Sequence, residues 1–89
     1  MPPYYVYILR CSDGTLYTGC TTDVAERESK HNDARGAKYT TSRRPVKVVY
    51  SATHGSRSAA QKREYQIERW SRAKKEALVA GDLAALRRL

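Results

Sequence analysis

Two runs rich in β-branched and aromatic residues, 4–11 and 16–21, flank Ser12-Asp13-Gly14-Thr15, the pattern of a β-hairpin. Two registers fit it. A two-residue Asp13-Gly14 turn pairs Tyr7 with Cys20 and sends Tyr7 and Tyr17 to opposite faces. A three-residue loop, Ser12-Asp13-Gly14 with Gly14 left-handed, pairs Leu9 with Tyr17 and Tyr7 with Gly19. The second register sets both tyrosines on one face, because strand side chains alternate with period two. Gly14 suits either turn; the three-residue loop is the preferred expectation.

The pattern then changes period. Asp23 is a plausible N-cap with Glu26 three residues on, predicting a helix from about Val24 to about Asn32. Its apolar face is thin, and Glu28 falls where a large apolar residue is expected. Residues 33–45 form a polar, basic loop closed by Pro45. A third strand is predicted over Val46 to Thr53, with Val46, Val48 and Tyr50 alternating against their neighbours. Ser56 or Ser58 caps a helix over Ala59 to Trp70, where Ala60, Ile67 and Trp70 make an apolar stripe. Ser71 opens another, Arg72 to Ala80, stopped by Gly81. Asp82 caps a last short helix at residues 83–89. Nothing in this order marks a linker or a repeat, so residues 1–89 are expected to form one domain with its core at about 4–80.

Composition sharpens the picture. Eighty-nine residues can bury one core. With seven Tyr, one Trp and no Phe, the aromatic surface is nearly all phenolic and favours polar sites. No apolar run approaches membrane-spanning length, and Met1-Pro2-Pro3-Tyr4 lacks the basic region of a signal peptide. A cytoplasmic protein without a membrane partner is expected. Cys11 and Cys20 are not cross-strand partners in either register, so both are read as reduced and structural.

The net charge is +8, and its location says more than its size. Residues 34–63 carry Arg35, Lys38, Arg43, Arg44, Lys47, Arg57, Lys62 and Arg63 without one Asp or Glu; elsewhere nine basic residues balance nine acidic ones. A concentrated positive field attracts polyanions, nucleic acid foremost. The loop around Gly36-Ala37-Lys38-Tyr39-Thr40-Thr41, with Arg43 and Arg44, suits contact with a phosphate chain and stacking on a base.

Candidate chemistry is scattered along the chain. Tyr7 and Tyr17 offer two phenols, with Gly19 leaving room for a ligand near the backbone. Arg27 and His31, four apart, share a helical face; the first suits a bidentate grip on phosphate, the second a proton relay near neutral pH. Glu64 sits within the apolar stripe of its helix, four after Ala60 and three before Ile67. A carboxylate there is costly unless paired or bound to a cation. Each feature alone has a plain reading: strand tyrosines, solvated side chains, a salt bridge from Glu64 to Arg27, Arg63 or a loop lysine.

Their order resembles the GIY-YIG nuclease domain, and specifically the small stand-alone UPF0213 (YhbQ-like) proteins. The first element stands as Tyr5-Val6-Tyr7 and the second as Tyr17-Thr18-Gly19, followed by Arg27, His31 and Glu64. Phrases such as Leu16-Tyr17-Thr18-Gly19, Gly36-Ala37-Lys38-Tyr39-Thr40 and Arg44-Pro45-Val46 share the likeness. The resemblance implies an α+β fold, a three-stranded antiparallel sheet flanked by helices in the order β-β-α-β-α-α. It implies metal-dependent hydrolysis of a phosphodiester: Tyr17 and Tyr7 orienting and deprotonating water, Arg27 on the phosphate, His31 assisting, and Glu64 holding one divalent ion, Mg²⁺ or Mn²⁺. The sequence departs from the pattern in lacking the first glycine and in carrying Thr18 for isoleucine and Cys20 for a basic residue. The asparagine many relatives carry beyond the glutamate has no clear counterpart, though Glu76 lies near that spacing.

Two functions are therefore expected: a DNA endonuclease of repair or recombination, or a nucleic-acid-binding module of the same fold that does not cut unaided. The second would look to a partner protein for activity or specificity.

Overall fold

The computed structural model describes residues 3–33 and 38–89. Arg35, Gly36 and Ala37, which belong to the basic loop of the sequence, lie outside them. Three strands, β1 (Tyr4–Arg10), β2 (Leu16–Thr21) and β3 (Lys47–His54), form an antiparallel sheet in the order β2-β1-β3. Helices α1 (Val24–Asn32) and α2 (Lys38–Thr41) precede β3, and α3 (Arg57–Glu68), α4 (Arg72–Ala80) and α5 (Leu83–Arg88) follow it. The expected α+β order holds, with the one-turn α2 added inside the basic loop.

β1 reads as a nearly continuous apolar run because it is the central strand with both faces covered. Val6 and Ile8 pack with Ala60 and Ile67 of α3, together with Leu16, Cys20, Trp70 and Leu78. Tyr7, Leu9 and Cys11 pack on the opposite face with Val46, Tyr17, Val24 and Val48. Burial of each large aliphatic side chain contributes about 2 kcal/mol.

The hairpin takes the three-residue register: Leu9 faces Tyr17 and Tyr7 faces Gly19. The Cys11 N–H donates to the Thr15 carbonyl at 2.9 Å, and the Gly14 N–H to the Cys11 carbonyl at 2.9 Å. Gly14 has φ +85°, the left-handed conformation this loop requires. Asp13 braces the turn by accepting from the Thr15 N–H and hydroxyl and from Arg43 Nε. Both cysteines are free, Cys11 buried and Cys20 half-buried.

Two side chains of α1 dock it onto β3 and the residue just before it. Glu28, out of place on an apolar stripe, accepts from the Val48 N–H at 2.7 Å. That amide sits where the β1–β3 register shifts between Ile8 and Leu9, so the carboxylate serves a donor beside an irregularity of the ladder. Asn32 donates to the Val46 carbonyl and accepts from its N–H, acting as a strand partner for one residue. Caps close the helices: Asp23 on α1, Ser56 on α3, Ser71 on α4 and Asp82 on α5. Helix α3 begins two residues earlier than expected because Ser56 is its cap, and Trp70 lies just beyond its end.

Candidate active site

Tyr7, Tyr17 and His31 meet on the α1 face of the sheet. Gly19 lies opposite Tyr7 in the hairpin, and the Tyr7 ring crosses over it. A methyl group at Gly19 would stand 2.5 Å from the Tyr7 hydroxyl and 2.7 Å from the adjoining ring carbon. The room expected for a ligand is thus filled by the phenol, which is the steric reason for glycine here. Tyr7 is 1% exposed, while Tyr17 beside it is half-buried.

His31 is buried between the phenols and α2. Its Nε2 lies 3.2 Å from the Tyr7 hydroxyl and its Nδ1 2.7 Å from Thr40 Oγ1. Its ring meets Tyr17 edge-on, centroids 5.1 Å apart. Burial, then the charge of Arg27, holds the His31 pKa below its ordinary value, so the ring is neutral near pH 7. A neutral ring with partners at both nitrogens can carry one N–H and accept one hydrogen bond. The role of Thr40 is not legible in the sequence, because nothing local ties it to a histidine nine residues earlier.

The phenols are hard to ionise in this setting. Burial raises Tyr7 well above the ordinary tyrosine value, and the charge of Tyr17 adds to the rise, while the charge of Arg27 opposes it. Tyr17 is raised by burial first, then by Glu64 and Glu68. Arg27 and the Glu64 carboxylate thus both lie within electrostatic reach of the two phenols, with opposite effects.

Glu64 projects from α3 at the β2 edge. The pKa of the nearby Cys20 thiol is pushed up to about 11, by burial first and by the proximity of Glu64 second. Glu68 lies one turn on along the same helix, and its own pKa is raised by burial first and by the charge of Glu64 second. Glu64 forms no salt bridge among the described residues, and no cluster there of three His, Cys, Asp or Glu could hold a metal unaided. Beside Cys20 opens a hollow of about 370 Å³ lined by Tyr4, Thr21, Thr22, Arg27, Arg57 and Gln61.

The basic loop is more structural than expected. Arg43 donates from Nε to Asp13 and from Nη1 to the Tyr39 carbonyl, and lies 4.2 Å from the Tyr39 ring centroid. Arg44 donates to the carbonyls of Thr41 and Asn32. Both arginines tie the hairpin, α1 and α2 together. Lys38 is exposed. Tyr39 is 39% exposed and its ring lies 5.8 Å from that of Tyr17, extending the aromatic face outward. Glu76 is turned to other work, bound by both terminal nitrogens of Arg10 at 2.7 and 2.9 Å.

Fold and site together define a small α+β domain with paired tyrosines and a buried histidine on one sheet face, and an arginine and a carboxylate within electrostatic reach of them. The profile of the GIY-YIG catalytic domain matches residues 3–77. UPF0213 protein DP2720 of Desulfotalea psychrophila is 54% identical over 79 residues, 88% of this chain and 72% of that protein. UPF0213 protein SSP2268 of Staphylococcus saprophyticus is 49% identical over 90% of this chain and 98% of its own. The solution structure of UPF0213 protein BH0048 from Bacillus halodurans superposes with a TM-score of 0.57 at 47% identity, covering 88% of this chain and 83% of that one. Protein EF2693 of E. faecalis gives 0.63 at 35% identity, covering 94% and 90%. The chain belongs to the GIY-YIG nuclease-domain family, among its UPF0213 members. No helix among the described residues is long and apolar enough to cross a membrane.

Proposed function

We propose that the chain is a divalent-metal-dependent endonuclease that hydrolyses phosphodiester bonds in DNA, with a preference for branched or otherwise distorted structures. The observation that carries this is the meeting of Tyr7, Tyr17 and His31 on one face, with the charges of Arg27 and Glu64 in reach of both phenols.

Tyr17, the more open phenol, orients the attacking water. Tyr7 is its buried support, fixed by His31, which can take up or return a proton at Nε2. Arg27 is always charged and suits the charge of the phosphate in flight. Glu64 would hold a Mg²⁺ or Mn²⁺ ion, with Glu68 as a nearby oxygen donor. Few protein ligands with hard oxygens suit Mg²⁺, which keeps several waters and takes substrate phosphate. Such an ion supplies Lewis acidity and the positive charge a phenolate needs. Without that charge, bringing even an unperturbed tyrosine to act as base at pH 7 costs about 4 kcal/mol, and burial makes Tyr7 and Tyr17 weaker acids still.

That burial also supports a second reading, a nucleic-acid-binding module that does not cut unaided and depends on a partner protein. A cleavage screen over junction, flap, nicked and single-stranded DNA and RNA, with Mg²⁺ or Mn²⁺, separates the two. The nuclease reading expects wild type to cut, Glu64→Ala to stop cutting while retaining binding, and Tyr17→Phe to lose most activity. Binding without cleavage of any substrate would overturn it in favour of the second.

A further inference from the structure

Helix α3 carries a polar stripe that the site described above uses only at one end. Arg57, Gln61, Glu64 and Glu68 follow spacings of four, three and four and therefore share one face beside the buried Ala60 and Ile67. The stripe is divided by charge. Its carboxylates lie toward Tyr17; its cation, seven residues or roughly 10 Å of helix earlier, lies at the hollow that Arg27 enters from α1.

We propose that this hollow is a second phosphate subsite, in which Arg57 and Gln61 grip the nucleic-acid backbone at a phosphate adjoining the one held by Arg27. Two arginines from different elements line a single cavity together with Thr21, Thr22 and Gln61. Like charges side by side repel unless an anion lies between them, and Arg57 makes no ion pair among the described residues. It leans toward the strand edge, close enough for its charge to act on the Cys20 thiol. The first turn of α3 adds the positive end of the helix dipole. Arginine suits a phosphate with two non-bridging oxygens because its donors form a planar fork. With an anion-binding end and a carboxylate end on one helix face, α3 would fix the course of the strand past the phenols. The sequence held the cue, since counting back from Glu64 by helical periods reaches Gln61 and Arg57.

This inference rests on the nucleic-acid reading above, and its test separates the two. Affinity of the full chain for a fluorescent DNA junction is measured from low to moderate salt without divalent metal, for wild type, Arg57→Gln, Arg57→Lys and Arg69→Gln. The last variant removes the same charge on the outer side of α3, where Arg69 donates to the Tyr65 hydroxyl at 2.6 Å. The expected result is a salt slope smaller by ~0.7–0.9 for Arg57→Gln, the change that follows when one phosphate is no longer neutralised. Arg57→Lys and Arg69→Gln should keep the wild-type slope. An unchanged slope in Arg57→Gln, or an equal fall in Arg69→Gln, overturns the subsite while leaving the binding reading intact. Wild type without salt-dependent binding overturns both. Circular dichroism of each variant guards against misfolding, which exposed Arg57 is not expected to cause.

Discussion

Gly19 and Thr18 are neighbours on β2 that face opposite sides of the sheet, and each has one dominant physical constraint. At Gly19 the constraint is volume. Adding a methyl must displace the Tyr7 ring, so Gly19→Ala is expected to destabilise by about 1–3 kcal/mol, read as a lower denaturant midpoint. An unchanged midpoint would mean that Tyr7 does not cross the glycine. At Thr18 the constraint is polarity: its hydroxyl is buried and has no hydrogen-bond partner among the described residues. Thr18→Val keeps the shape and removes the orphan, and should stabilise by about 1 kcal/mol. A loss of stability instead would reveal a partner, such as a bound water. The glycine was legible as a special position from the hairpin register, but its occupant was not. Period two says which face a side chain takes; it does not say where a tyrosine ring lies along that face.

Between elements, polar side chains do as much as apolar ones. Helix α1 has a poor hydrophobic face, and its attachment to β3 runs through Glu28 and Asn32. Glu28→Ala leaves the Val48 N–H without its carboxylate partner, and about 2 kcal/mol of stability should be lost, as for a hydrogen bond to a charged group. Hydrogen exchange at Val48 should rise with it; a protected Val48 amide in the variant would refute the latch. The residue that broke the amphipathic pattern of α1 is thus the one that fastens it. An amphipathic pattern registers Glu28 only as a defect, because the amide it serves is 20 residues away in the chain. The same holds for Arg43, which reads as a loop cation and proves to be a brace between the hairpin turn and α2.

For the whole molecule, stability should fall through two separate acid windows. His31 is buried with a lowered pKa, so the unfolded chain binds a proton that the folded chain refuses. By linkage, stability then falls as pH drops below the ordinary histidine value of 6.5. Thermal melts from pH 7.5 to 5 should show this decline in wild type, and His31→Gln should flatten it. Equal slopes in both proteins would mean that His31 titrates normally. Glu76 acts lower. Its pKa is depressed by its bond to Arg10 first, so its contribution is present above the ordinary value of 4.5 and is lost as pH falls through the depressed one. The concentration of positive charge in one third of the chain, visible at once in the sequence, predicts attraction to polyanions. It did not separate the arginines that bind structure from those left to bind a ligand.

The sequence by itself determined the hairpin, the order of strands and helices, the caps and the family, because these follow from periods, turn chemistry and short-range spacing. Only the tertiary structure decided that Tyr7 is buried over Gly19, that His31 bridges Tyr7 and Thr40, and that the charge of Glu64 reaches Cys20 and both phenols. It alone also brought Arg57 to the hollow beside Arg27. Each of these joins residues from different elements, and such contacts depend on how the elements pack, which no local pattern encodes.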